Sequence, residues 1–281
     1  MFQTQVSTSN HLTLDQVVSR LRASNAVAGI ALFGSSLKPA NDAVSDYDLL
    51  VMLSSPSVRI FQMPTYINGR IADVAFVETE VADSVLSLTE PVSPTSREGY
   101  LIGWLEQAEI LYDGDSGRLR RIQQKLKAQD WRLPSNASDL YAEWFWLNFD
   151  LRHIKRLAAS SDPIYLMVVD MRLMACISGI CRAYCRLRSI HWRGEKAALH
   201  YLQEYDPDYF ELIQACVAET DRTQRIVLCE QLVERAVAGF GGLWASGTTA
   251  VYLKDSTQHP DRVLDALQLW EHLIYSQPKT E

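Results

Sequence analysis

In the stretch IALFGSSLKPANDAVSDYDLLVML, residues 30–53, Asp46 and Asp48 stand one residue apart at the start of an apolar run. Side chains on a strand alternate faces, so these two carboxylates point the same way while Tyr47 points opposite. Like charges a few ångströms apart repel unless a cation or proton intervenes. Hard oxygen donors of this kind suit Mg²⁺, which takes one or two carboxylates plus substrate phosphates. Asp73 lies inside a second apolar run, GRIADVAFV, where an acid is costly without a partner. Laid beside the first pair, it completes three carboxylates around one or two metal ions, as a ligand, a general base, or both.

A triphosphate needs donors, and Gly34, Ser35 and Ser36 close the apolar run that precedes the acids. Glycine lets the backbone approach a phosphate, and consecutive N–H groups in a turn cradle anionic oxygens, with serine hydroxyls as further donors. Gly34, Ser35 and Ser36 are therefore expected to bind nucleotide, and Asp46, Asp48 and Asp73 to hold metal and carry the chemistry.

The elements that must position these groups follow from periodicity. TLDQVVSRLRAS carries Leu14, Val17, Val18 and Leu21 at helical spacing, with Thr13 as N-cap. AVAGIALF, DYDLLVML and GRIADVAFV read as strands, SREGYLIGWLEQA as a helix, and EILYD as a final strand closed by the turn DGDSG. This order predicts an α/β domain with a mixed sheet over residues 1–130. Beyond Ser116, a candidate N-cap, the pattern is helical, with helices expected over 117–129, 137–159, 163–188, 194–204, 208–218, 221–238 and 260–275. An all-helical domain over residues 131–281 follows.

A cleft between domains is a usual ligand site, so the helical half is expected to supply an acceptor pocket. Arg193 and Lys196 flank a helix start after Gly194, where anions are favoured, and are expected to reach the phosphates. Asp170, on an apolar helix, either lines the acceptor pocket or pairs with an arginine. RLRRIQQKLKAQDWR holds six basic residues between Arg118 and Arg132, readable as an RNA-facing patch or as a solvated helix face. The tryptophans are scattered along the chain, and no aromatic platform is expected.

Composition bounds the reading. The 281 residues are 47% hydrophobic and 22% charged, as in a globular protein with a sizeable core, and the net charge of −7 argues against a general nucleic-acid coat. No basic segment followed by an apolar one marks a signal peptide at the N-terminus. The window IYLMVVDMRLMACISGICRAYC carries Asp170, Arg172 and Arg182, which favours a buried helix over a membrane span. Cys176, Cys181, Cys185, Cys216 and Cys229 form an odd set with no Cys-x-x-Cys pair, so a reducing, cytoplasmic compartment is expected.

LFGSS…SDYDLLV resembles the signature of the DNA polymerase beta-like nucleotidyltransferase superfamily: hydrophobic-Gly-Ser, a short interval, then acid-hydrophobic-acid in a strand. ADVAFV is similar to its third-acid strand, and EILYDGDSG to the closing strand and turn of smaller bacterial members. The helical remainder resembles, more loosely, the C-terminal domains of two-domain antibiotic nucleotidyltransferases. Where minimal members carry Arg-Gly after the Gly-Ser, this chain has Ser36-Leu37-Lys38-Pro39. The resemblance implies a nucleotidyltransferase domain followed by an all-α helical bundle. It also implies Mg²⁺ as cofactor, and transfer of a nucleoside monophosphate from a nucleoside triphosphate, ATP foremost, to a hydroxyl of a small molecule. An RNA or protein acceptor and a catalytically silent nucleotide-binding module are the alternatives.

Overall fold

The computed structural model describes residues 11–34, 46–253 and 260–275. The chain divides into two compact units, Met1–Leu133 and Pro134–Glu281. The first contains α1 (Leu14–Arg22), β1 (Val27–Phe33), β2 (Tyr47–Leu53), β3 (Gln62–Ile67), β4 (Arg70–Glu78), α2 (Thr79–Ser87), α3 (Arg97–Leu105), β5 (Glu109–Asp113) and α4 (Arg118–Leu126). The strands form one sheet in the order β3-β4-β2-β1-β5. The β2–β4 pair is parallel and the other pairs are antiparallel, so the sheet is mixed, as expected.

Both faces of this sheet are covered. On one, Ile30, Leu32, Leu49, Val51, Ala72 and Val74 pack with the α1 residues Leu14, Val17, Val18 and Leu21. On the other, Ala31, Leu50, Met52, Ala75 and Val77 pack with side chains of α2, α3 and α4, among them Val85, Leu101 and Ile122. A central strand buried on two sides reads as continuous apolar sequence, which is why Leu49–Leu53 shows no alternation. Thr13 caps α1 with a full capping box, and Ser96 caps α3.

Two elements were not expected from the sequence. β3 contains Pro64, which demotes a run from strand status, and it survives because it is an edge strand with one side unpaired. Its signal was Asn68-Gly69, both at positive φ (51° and 74°), which form the two-residue turn of a β3–β4 hairpin. α2 begins directly after β4 with no side-chain cap hydrogen bond, and so offered no start signal. A third difference concerns α4. Ser116 is not its N-cap: Gly117 takes that position in a left-handed conformation, and the Asp113 carboxylate accepts from the backbone N–H groups of Leu119 and Arg120 at 3.2 and 3.0 Å.

The second unit is helical throughout its described elements: α5 (Ala137–Ala158), α6 (Pro163–Leu187), α7 (Glu195–Tyr205), α8 (Pro207–Ala218), α9 (Arg222–Val237) and α10 (Pro260–Tyr275). Asp162 caps α6 ahead of Pro163, and Asp206 caps α8 ahead of Pro207. Ile154, Leu173, Ile180, Leu202, Tyr209 and Leu232 lie at the centre of its core, and the five cysteines are buried with free thiols. α6 is long and apolar enough to cross a membrane by length and composition. Only one of its faces joins the core, since Ile164, Met167, Met171 and Met174 form an exposed stripe, so the expectation of a buried helix holds for half of it.

Asp113 links the end of β5 to the start of α4 through two orphan donors. Asp113→Ala is expected to lower unfolding free energy by about 0.5–2 kcal/mol, the usual range for a lost N-terminal cap. Urea titration of the full chain measures it, and Ser116→Ala is expected to stay within about 0.5 kcal/mol of wild type.

Candidate metal and nucleotide site

The register of two strands builds the site. In the parallel β2–β4 ladder Asp48 lies opposite Asp73, and in the antiparallel β1–β2 ladder Phe33 lies opposite Asp48. Alternation then places Asp48, Leu50 and Met52 on one face of β2, and Asp73, Ala75 and Val77 on the same face of β4. The apolar members of these sets are buried under α2–α4. The acids are thus the last residues of a buried face.

Asp46, just before β2, joins them. Ligand oxygens of Asp46, Asp48 and Asp73 all lie within 4.8 Å of one another, each side chain half-buried, the one such group found among the described residues. At that separation and an effective dielectric near 20, each pair of charges costs roughly 3–4 kcal/mol. A divalent cation removes this repulsion. An all-oxygen, all-carboxylate set without histidine or cysteine matches Mg²⁺ in donor type rather than zinc, so the residues present fit the expected ion.

Gly34 closes against the same group. Its φ is +73°, and a Cβ built there would stand 1.9 Å from Asp48 Oδ2. The backbone therefore runs directly along the carboxylate, an approach that no other residue type permits. Ser35 and Ser36, expected beside it, lie outside the described residues.

Sequence reasoning missed an aromatic group on this face. Trp104 of α3 has its ring centroid 5.9 Å from Phe33 and 6.1 Å from Phe61, and Tyr100 lies 5.9 Å from Trp104 and 5.7 Å from Phe61. Tyr100 and Trp104 are one helical turn apart, which was the available signal; Phe33 and Phe61 join only through the fold.

The remaining candidates lie in the helical unit. Arg193 and Lys196 are exposed on either side of Gly194, the N-cap of α7. Asp170 accepts from Arg222 Nε at 2.8 Å and from Arg222 Nη2 at 2.7 Å, an ion pair joining α6 to α9. The Arg222 guanidinium holds the Asp170 carboxyl below its ordinary value of 3.8. Asp170 also lines a cavity of about 380 Å³ with Thr220, Arg222 and Arg225, so it takes the arginine partner and a cavity wall together. Three of the six basic residues of the stretch are engaged within their own unit: Arg118 binds Asp83, Lys125 donates to the carbonyls of Leu86 and Leu88, and Arg132 binds Glu106 and Asp130.

No protein family and no curated protein matches the sequence. Among solved structures, the chain is similar to a nucleotidyltransferase-like protein from Exiguobacterium sibiricum 255-15, at 17% identity and a TM-score of 0.40. The similarity covers 80% of this chain and 73% of that one.

Two outcomes follow from the geometry. Gly34→Ala must push the Asp48 carboxylate aside and strain the backbone, so Mn²⁺ affinity, followed by electron paramagnetic resonance, is expected to fall at least about tenfold, or 1.4 kcal/mol, in a folded protein. Asp170 has a depressed folded pKa, so its contribution is present above pH 3.8 and is lost as pH falls through the folded value. Asp170→Asn should cost under about 1 kcal/mol near neutral pH, because both partners are over a third exposed, and less at pH 2. Urea unfolding at both pH values reads the difference.

Proposed function

We propose that the protein is a Mg²⁺-dependent nucleotidyltransferase of the DNA polymerase beta-like type. It moves a nucleoside monophosphate from a nucleoside triphosphate, ATP by preference, to a hydroxyl of a small-molecule acceptor. The observation that carries this reading is the convergence of Asp46, Asp48 and Asp73 on one end of two adjacent strands, beside a glycine with no room for a side chain. A solvated acidic turn requires neither the parallel register nor the close backbone.

Asp46 and Asp48 bind the cation, and Gly34 brings backbone close enough for the phosphate tail to lie along it. When bound, Mg²⁺ supplies charge stabilisation at the α-phosphoryl group and at the departing pyrophosphate. Asp73 accepts the proton of the acceptor hydroxyl, so that the acceptor oxygen forms the new bond at the α-phosphorus while the bond to pyrophosphate breaks. Lys196 and Arg193 are assigned to the phosphates, as the basic residues of an exposed helix start. An RNA acceptor is the weaker reading, since Arg118, Lys125 and Arg132 are engaged internally. The free, buried thiols accord with a reducing, cytoplasmic setting.

The direct test offers the protein each nucleoside triphosphate labelled at the α-phosphate, Mg²⁺, and pooled metabolites or RNA. Label is expected in a small molecule with pyrophosphate released; labelled nucleoside diphosphate as the product, the mark of γ-phosphoryl transfer, would sink the reading. Asp73→Asn is expected to cut kcat by about 10²–10⁴, and Asp48→Asn to abolish metal-dependent triphosphate binding in calorimetry. Lys196→Ala is expected to raise the KM for triphosphate by one to two decades, the equivalent of roughly 1.5–3 kcal/mol for a charge-assisted contact.

A further inference from the structure

The aromatic group beside the carboxylates has work left to do. Phe33 and Trp104 are only partly exposed and pack against the core on the face shared by Asp48 and Asp73. Tyr100 and Phe61 continue the row outward, at 39% and 57% exposure. Isolated exposed aromatics are ordinary, but these two touch each other, and both touch Trp104. They present one continuous ring surface at the rim of the candidate site.

Sheet order says which substrate this surface meets. From β1 outward, Gly34 ends the first strand, Asp48 follows on β2, Asp73 on β4, and then comes β3 at the edge. Phe61 immediately precedes β3, where its carbonyl accepts from Phe76 N–H of β4 at 2.9 Å. If the phosphates lie along Gly34 and the α-phosphorus over Asp48, the far side of Asp73 belongs to the acceptor. Phe76 is three residues beyond Asp73 on β4, roughly 10 Å along the strand. On that side of the sheet the exposed rings are those of Tyr100 and Phe61, with Trp104 between them and Phe33.

We propose that Tyr100 and Phe61, backed by Trp104, form a stacking shelf for the acceptor, which is therefore a hydroxylated compound with a flat ring face and not an open-chain polyol. This rests on the nucleotidyltransferase reading for the word acceptor, and on ring geometry alone for the shelf. A flat apolar face belongs either to an aromatic ring or to the C–H side of a sugar ring. Both stack on phenyl and phenol groups, so the shelf selects shape while Asp73 selects the hydroxyl.

The test uses the full chain with Mg²⁺ and a non-hydrolysable ATP analogue, and saturation-transfer NMR with three probes. These are 2-phenylethanol, methyl β-glucopyranoside and sorbitol. One ring probe at least is expected to bind and sorbitol to stay silent; the stronger ring probe tells the aromatic source from the sugar source. Phe61→Ala and Tyr100→Ala, both at exposed positions, are expected to weaken the ring probe about tenfold, with Trp104→Phe close to wild type because a backing ring is retained. Affinity for the ATP analogue should move less than twofold. Equal binding of sorbitol, or ring binding indifferent to both alanine variants, overturns the proposal. So does a loss of ATP-analogue affinity in those variants, which would put the nucleobase on the shelf. Failure of Mg²⁺-dependent analogue binding, with variant-sensitive ring binding retained, would instead remove the nucleotidyltransferase reading and leave the shelf.

Discussion

The parallel pairing of β2 with β4 sets Asp48 against Asp73, with Asp46 added two residues before Asp48. Three charges this close are an electrostatic load that the apolar strands behind them cannot relieve. A positive charge brought to the cluster would relieve that load. Every nearby feature is compatible with that. Alternation sends the acids to the face that α2, α3 and α4 cover further along, and Gly34 leaves the Asp48 carboxylate unobstructed.

The layered packing explains why this arrangement is stable. α1 covers one face of the sheet and three helices cover the other, so a one-residue slip of β2 or β4 would exchange the residues packed under α1 with those packed under α2–α4 and carry the acids to the opposite face. The register that fixes the core is thus the register that fixes the site. At the edges the constraints are looser: β3 tolerates Pro64, and β5 ends in Asp113, whose carboxylate ties the sheet to α4. α3 then contributes the rings of Tyr100 and Trp104, the latter packed beside Phe33 of β1.

The helical unit follows a different logic. Its core is assembled from the apolar stripes of α5–α9, and ion pairs join its helices, among them Asp170 with Arg222 and Lys155 with Glu230. Ion pairs on helix faces join neighbours cheaply, and a side chain committed to one carries less chemical meaning than its type suggests. Arg193 and Lys196 are exposed beside the α7 start.

Much of the fold and site was legible in the sequence because it depends on local rules. Strand alternation made Asp46 and Asp48 share a face, the Thr13 cap announced α1, and the odd burial cost of Asp73 marked it as a partnered acid. What the sequence could not decide was non-local. Whether β4 lies parallel beside β2, so that Asp73 meets Asp48, depends on which strands pair across the sheet. β3 was hidden because Pro64 opposes strand formation locally, and only an edge position tolerates it. The Phe33–Trp104–Tyr100–Phe61 row joins residues up to 71 positions apart, since 104 − 33 = 71, and no pattern along the chain encodes such a contact. Asp170 likewise finds Arg222 only when α6 and α9 pack together. Periodicity gives each residue a face; only the packing of faces against one another gives it neighbours.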